Sequence, residues 1–215
     1  MKAAVNGTQI DIEANSKPYL FKRIIADGFD TVLILALFLL LTALIMRTPL
    51  AAKYQEHVSR ASEIVQEHLD NCGGDKEAAA KALSEDEEYQ NERFAANLRG
   101  YILEALAALI AEGMVLLAVP LLNKDRSTPG KLMTGIMLFS ETRRGKATGL
   151  QAFLRFLFVF FIDSLLLYLF TGIYTFLLVP VLRLTEMLLI RDNGTILDKM
   201  TGLKVIEKLS YDGIN

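Results

Sequence analysis

Arg23, Asp27 and Asp30 fall at spacings of three and four inside the stretch from Tyr19 to Met46, so on a helix Arg23, Ala26 and Asp30 share one face and Asp27 lies on its flank. Three further carboxylates stand in apolar surroundings or close to them: Glu112, Asp163 and Asp198. A carboxylate in a low-dielectric site is pushed towards its protonated form, while a nearby cation favours the ionised one. A proton and a metal cation can then compete for one pair of oxygens. Asp30, Glu112 and Asp163 are the candidates for such an ion pathway. Two plainer readings stand beside this one. Arg23, Asp27, Asp30 and Asp198 would equally serve as an ion network clamping the chain's tail to the first helix, and Glu112 and Asp163 as protonated donors between helices.

The elements that must position these groups are membrane spans. Of the 215 residues, 52% are hydrophobic and 22% charged, and mean hydropathy is +0.32. The two populations are segregated: long apolar runs occur at 31–46, 101–122 and 150–190, with the charges crowded between them. The expected architecture is all-α and polytopic, with four transmembrane helices and an extramembrane helical hairpin between spans 1 and 2. Residues 1–18 form an aqueous lead with a short strand. Residues 19–46 form span 1, 47–100 an acidic hairpin and 101–122 span 2. Residues 123–149 form a basic loop, 150–190 spans 3 and 4, and 191–215 the tail. The run 150–190 is about 60 Å as one helix, roughly twice the hydrocarbon thickness, so it is expected to fold back near Thr171-Gly172. A single tilted span ending near Pro180 is the rival. No internal repeat is visible, and an inverted pairing of spans 1 and 2 with spans 3 and 4 stays open.

The hairpin carries seven Lys/Arg against eleven Asp/Glu, a net of −4, whereas the loop 123–149 carries six against two. Excess Lys/Arg on short loops marks the cytosolic side, so both termini are expected in the cytosol of a cell membrane, plasma or inner. Within the hairpin a helix should run to about Asp70, break at Gly73-Gly74, and restart where Ser84 and Glu87 form a capping box. The net charge of −2, with no basic stripe, excludes a nucleic-acid partner. The single cysteine, Cys72, permits no internal disulfide, and His57 and His68 beside it fall short of a metal site. No nucleophile and base pair or nucleotide motif is readable, so neither an enzyme nor a cofactor is expected. Glu104, Arg183 and Glu186 are expected to snorkel to the interfaces.

Three ordered motifs line up on the basic side. They are Arg23-x-x-Ala26-x-x-x-Asp30, then Ser127-Thr128-Pro129-Gly130-Lys131-x-x-x-Gly135, then Leu197-Asp198-Lys199-x-x-Gly202-x-x-Val205. Thr128, Pro129, Gly130 and Lys131 lack the setting of a phosphate loop and read as a turn opening a helix or strand, its lysine placed for anionic head groups. Together the motifs resemble the RDD family of integral membrane proteins, over residues 19–46 and about 101–208. The resemblance gives Arg23, Asp30 and Asp198 the places of the family's arginine and aspartates, and Arg155 that of the arginine opening the next segment. The hairpin is longer than the family's usual connection, and Leu197 stands where a histidine often precedes the aspartate. The resemblance implies transport of a small solute or cation, with proton-coupled exchange among its forms, and four spans imply a homodimer if transport occurs. The alternative is a non-transporting scaffold or assembly factor whose hairpin or basic loop docks a partner.

Overall fold

The apolar run following Leu20 forms one uninterrupted helix, α1 (Leu20–Ile45), because it holds no proline and its one glycine, Gly28, meets nothing that a helix would have to avoid. The computed structural model describes residues 2–5, 8–11, 20–143, 145–190 and 195–207, the side chains of 2–11, 163, 171, 173, 176 and 177 excepted. Along the chain follow the hairpin β1 (Lys2–Val5) and β2 (Thr8–Asp11), then α1, α2 (Ala52–Asn71) and α3 (Lys76–Glu85). Next come α4 (Glu87–Leu122), α5 (Pro129–Met133), β3 (Ile136–Ser140), β4 (Gly145–Lys146) and α6 (Gly149–Phe170). The chain closes with α7 (Thr175–Leu189), α8 (Ile196–Met200) and β5 (Leu203–Glu207). Among the described residues three helices, α1, α4 and α6, are long and apolar enough to cross a membrane. At Gly172, φ +57°, α6 ends and the chain turns through Gly172–Tyr174 into the 15-residue α7, which packs back on α6. The break thus falls where the sequence placed it.

Both α4 and α6 contain a π-helical stretch, Gly113–Ala118 and Val159–Leu166 respectively. Nothing in the sequence distinguishes them from ordinary apolar helix.

The chain is predominantly helical, as expected, but not purely so. The loop after α4 contributes two strands, β3 and β4, and the segment after α7 contributes one, β5, to a three-stranded sheet ordered β4-β3-β5. β3 and β5 are antiparallel over their whole length, Ile136 opposite Glu207 and Leu138 opposite Val205. Ile136, Leu138, Leu203 and Val205 pack with Ala26 and Ala147 on one face, and Met137, Phe139 and Ile206 cluster on the other. Burial on both faces explains why β3 reads as a continuous apolar run rather than an alternating one.

A repeat, unseen in the sequence, underlies this sheet. β3 and β5 are each preceded by a five-residue helix with threonine at its N-cap, Thr128 or Thr195, and each helix is closed by a left-handed glycine, Gly135 (φ +68°) or Gly202 (φ +63°). Residues 121–140 align without a gap on 188–207, with seven identities: Leu121, Leu122, Asp125, Thr128, Met133, Thr134 and Gly135 match Leu188, Leu189, Asp192, Thr195, Met200, Thr201 and Gly202. Equivalent residues differ by 67, and Leu138 and Val205, which are equivalent, pair directly opposite each other. The two copies, here called straps, are therefore related by a local two-fold axis through the centre of the β3–β5 pair.

Phe38–Ala107 forms a second compact unit. Within it His57 pairs with Glu92 at 2.6 Å, Arg60 with Glu88 at 2.8 Å and His68 with Asp86 at 2.8 Å, tying α2 to the start of α4 and the residue before it. Gly73 and Gly74, both at positive φ, end the turn after α2. The expected Ser84–Glu87 capping box does not form: Ser84 turns its hydroxyl back to the Lys81 carbonyl, and Asp86, immediately ahead of α4, accepts from the Tyr89 amide at 2.9 Å. A carboxylate adjoining the helix start is the stronger cap for that dipole.

The left-handed glycines give a first test. Gly135→Ala and Gly202→Ala should each destabilise the protein by about 1–2 kcal/mol, the cost of a Cβ in that conformation. Thermal unfolding in detergent, read by circular dichroism, measures it, and Gly202→Ala should lose the more of the two, because a Cβ there would lie 3.2 Å from the Thr142 hydroxyl whereas one at Gly135 meets open space.

Candidate functional site

Six ionisable groups gather where the straps meet α1 and α6. Asp198 is the third residue of α8, whose N-cap Thr195 accepts from the Asp198 amide at 3.2 Å while the Asp198 carboxylate accepts from the Thr195 amide at 3.3 Å. The same carboxylate takes Arg23 Nη2 at 2.8 Å on one oxygen and Arg155 Nε at 2.9 Å on the other. Arg23 and Asp198 are each 1% exposed. Burial alone would raise the Asp198 carboxyl, but Arg155 and Arg23, with Lys131 behind them, hold it far below the ordinary carboxylate range.

The first strap is held by charges of the opposite sign. Lys131, equivalent to Asp198, is 1% exposed and reaches Asp27 at 2.9 Å and Asp30 at 3.9 Å. Asp30 also accepts the Gly130 amide at 2.7 Å and the Thr128 hydroxyl at 2.5 Å. The N-cap Thr128 makes no side-chain bond to its own helix, and α5 is capped instead by a carboxylate projected from α1. Gly130 is required by this approach: a Cβ there would lie 2.0 Å from the Ala26 carbonyl oxygen. Lys22 adds a contact to Glu207 at 2.9 Å, and Arg183 of α7 contributes positive charge near Asp27.

Arg23, Asp27, Asp30, Arg155 and Asp198 are thus brought together, along with Thr128, Gly130 and Lys131. Three cations face three carboxylates, which lets the group stay buried. The placement of Lys131 at lipid head groups is corrected: it is buried against α1, because two carboxylates on that helix attract it more than an interface would. Pro129 opens α5 at its first position, as proline does.

Glu112 stands apart from this cluster. It lies at the start of the π stretch of α4, is 4% exposed, and accepts a hydrogen bond from the Ser164 hydroxyl within the π stretch of α6. Ser164 was missed in the sequence, where a serine in an apolar run carries no mark. The Asp163 side chain lies outside the described residues.

Apolar helices of membrane-crossing length, carrying buried charges that are paired with groups on other elements, mark an integral membrane protein. The RDD family profile matches residues 17–202, and the chain belongs to the RDD family. No curated protein and no solved structure matches it.

Removing Asp198 leaves two guanidiniums buried against each other. Asp198→Asn should cost about 3–5 kcal/mol, as loss of one partner from a buried pair does. The stability that the carboxylate provides is full above the unfolded pKa of about 3.9 and declines as pH falls below it towards the depressed folded value. The gap in melting temperature between wild type and D198N should therefore be steady from neutral pH down to that point and narrow below it. Gly130→Ala should cost about 1–3 kcal/mol through overpacking against Ala26 in the same assay.

Proposed function

We propose that this RDD-family protein is a four-span carrier of a small solute or cation, coupled to protons, with Glu112 as the group that exchanges the ion. The observation that carries the reading is the Glu112–Ser164 contact, a buried carboxylate bonded between two helices, each departing from α geometry at that level. Ionisable groups inside spans are costly and mark ion or proton routes, and π stretches recur at functional sites. Asp163, one residue from Ser164, belongs to the same level of α6 and is proposed as a second group of the path. Asp30, with three donors around it, holds α5 to α1 in this reading rather than passing an ion.

Connectivity supports the fourth span of this reading. β3 and β4 precede α6 and β5 follows α7, yet all three strands share one sheet. A chain that leaves that side through α6 must return before β5, and α7 is the helix available. With its lead from Gly172 it covers about 27 Å, close to the hydrocarbon thickness. The basic loop then sits with the sheet in the cytosol, together with both termini, and the acidic hairpin lies outside. A carrier of four spans per chain is proposed to work as a homodimer, without cofactor or catalytic chemistry.

A scaffold is the second reading, favoured by Phe94 and Leu98, which stand exposed on the unit 38–107 as partner-binding residues would. Flux into proteoliposomes, followed with a pH dye under an ion gradient, separates the two. Glu112→Gln should abolish flux while the melting temperature stays near wild type, and Ser164→Ala should lower it. Absence of flux from the wild-type protein for every ion tried would remove the carrier reading and leave the scaffold.

A further inference from the structure

The two straps match in exposure as well as in sequence. Leu122 and its equivalent Leu189, the last residues of α4 and α7, are 88% and 80% exposed, and Met133 and Met200 are 70% and 56% exposed. Their buried positions match too: Pro120 and Met187 are equivalent, as are Lys131 and Asp198, and all four are buried. On α5 the outward residues are the adjacent Leu132 and Met133, and on α8 they are Ile196, Lys199 and Met200, the last two spaced three and four from Ile196. Each strap therefore turns an apolar edge outward directly beyond the end of a membrane-length or apolar helix. Large apolar side chains held in water at two equivalent places on one surface are unfavourable unless something covers them.

We infer that the chain is a tandem duplication of a unit of two helices and a strap, and that both straps lie in the boundary between lipid head groups and acyl chains at one common depth. The covering partner is the bilayer itself. Two features favour lipid over a protein. The apolar surfaces of α4 and α7 run to the last residues of the helices, Leu121-Leu122 and Leu188-Leu189, and all four of these side chains are exposed. They also come in two copies about an axis: with α6 and α7 crossing as a pair, α4 and α7 both run towards the sheet side, so the axis runs along the membrane normal, and an operation about the normal preserves depth. A helix lying in the interface with apolar residues down and a lysine beside them is the ordinary arrangement for such a surface, Lys199 reaching back to the head groups. The repeat is parallel, because each unit has two helices and both straps share a sheet. The inverted pairing left open by the sequence is set aside.

The inference rests on membrane placement and the even crossing by α6 and α7, and not on transport, so it can fail while the carrier reading stands and the reverse. The chain has no tryptophan, which makes a direct test available. Met133→Trp and Met200→Trp, each in the full-length protein, are reconstituted into phosphatidylcholine–phosphatidylglycerol vesicles with acyl chains brominated at graded positions. Both should emit at short wavelength, lose most of their emission to shallow bromines and little to deep ones, and give coincident depths. Leu122→Trp and Leu189→Trp should form a second coincident pair, deeper than the first, which keeps the test open if one methionine variant fails to insert. Emission at long wavelength, quenched by aqueous iodide and indifferent to bromolipid, overturns the inference, as do unequal depths within either pair.

Discussion

The arrangement depends on the refusal of buried charge to remain uncompensated. Arg23 and Asp30 enter on one helix, seven residues apart, and each must find its complement elsewhere in the chain. The complements arrive on separate straps: Lys131 and the amide of Gly130 for the acids, Asp198 for the arginine. Because one carboxylate, Asp198, answers both Arg23 and Arg155, it joins α1 to α6 through α8. The β3–β5 pair then follows, since straps held at these two points bring their strands side by side.

The charged cluster and the buried acid of α4 differ in the partners they meet. In the cluster every carboxylate meets at least one cation within 3.9 Å, and Asp27 and Asp198 do so at 2.8–2.9 Å. Such a site favours one geometry and resists change. Glu112 accepts from the Ser164 hydroxyl, a neutral group that can both donate and accept. In the reading offered above, the residues that give the family its name serve assembly.

The convergence of Arg23, Asp30 and Asp198 was legible because an arginine and an aspartate on the face of an apolar helix demand partners, and few candidates existed. The spans were legible from length and hydropathy, and the break near Gly172 from the impossibility of a 41-residue crossing. The fate of Lys131 was not legible: lysine in a basic loop is ordinarily solvated, and only the positions of Asp27 and Asp30 in space give it a buried role. The repeat escaped for a related reason. Its most conspicuous pair, Lys131 and Asp198, has opposite charges, and Gly130 faces Leu197, so the likeness lies in Thr-x-x-x-x-Met-Thr-Gly followed by an apolar strand. A comparison blind to charge would have found it. Strands hidden in a chain dominated by apolar helices, and π stretches without a compositional mark, had no such signal.

The reversed polarity of the two straps bears on the order in which the molecule is built. Lys131 follows Asp27 by 104 residues and can dock as soon as α4 has been threaded, whereas Arg23 waits 175 residues for Asp198. Exchanged docking is barred, for Asp198 would meet Asp27 and Asp30, and Lys131 would meet Arg155. Sign thus acts as an address, sending each copy of a duplicated element to its own berth although the two share a shape. An undiverged pair could have been confused during biogenesis; this one closes in a single sense, its last bond being the one that seals the early helix to the late end of the chain.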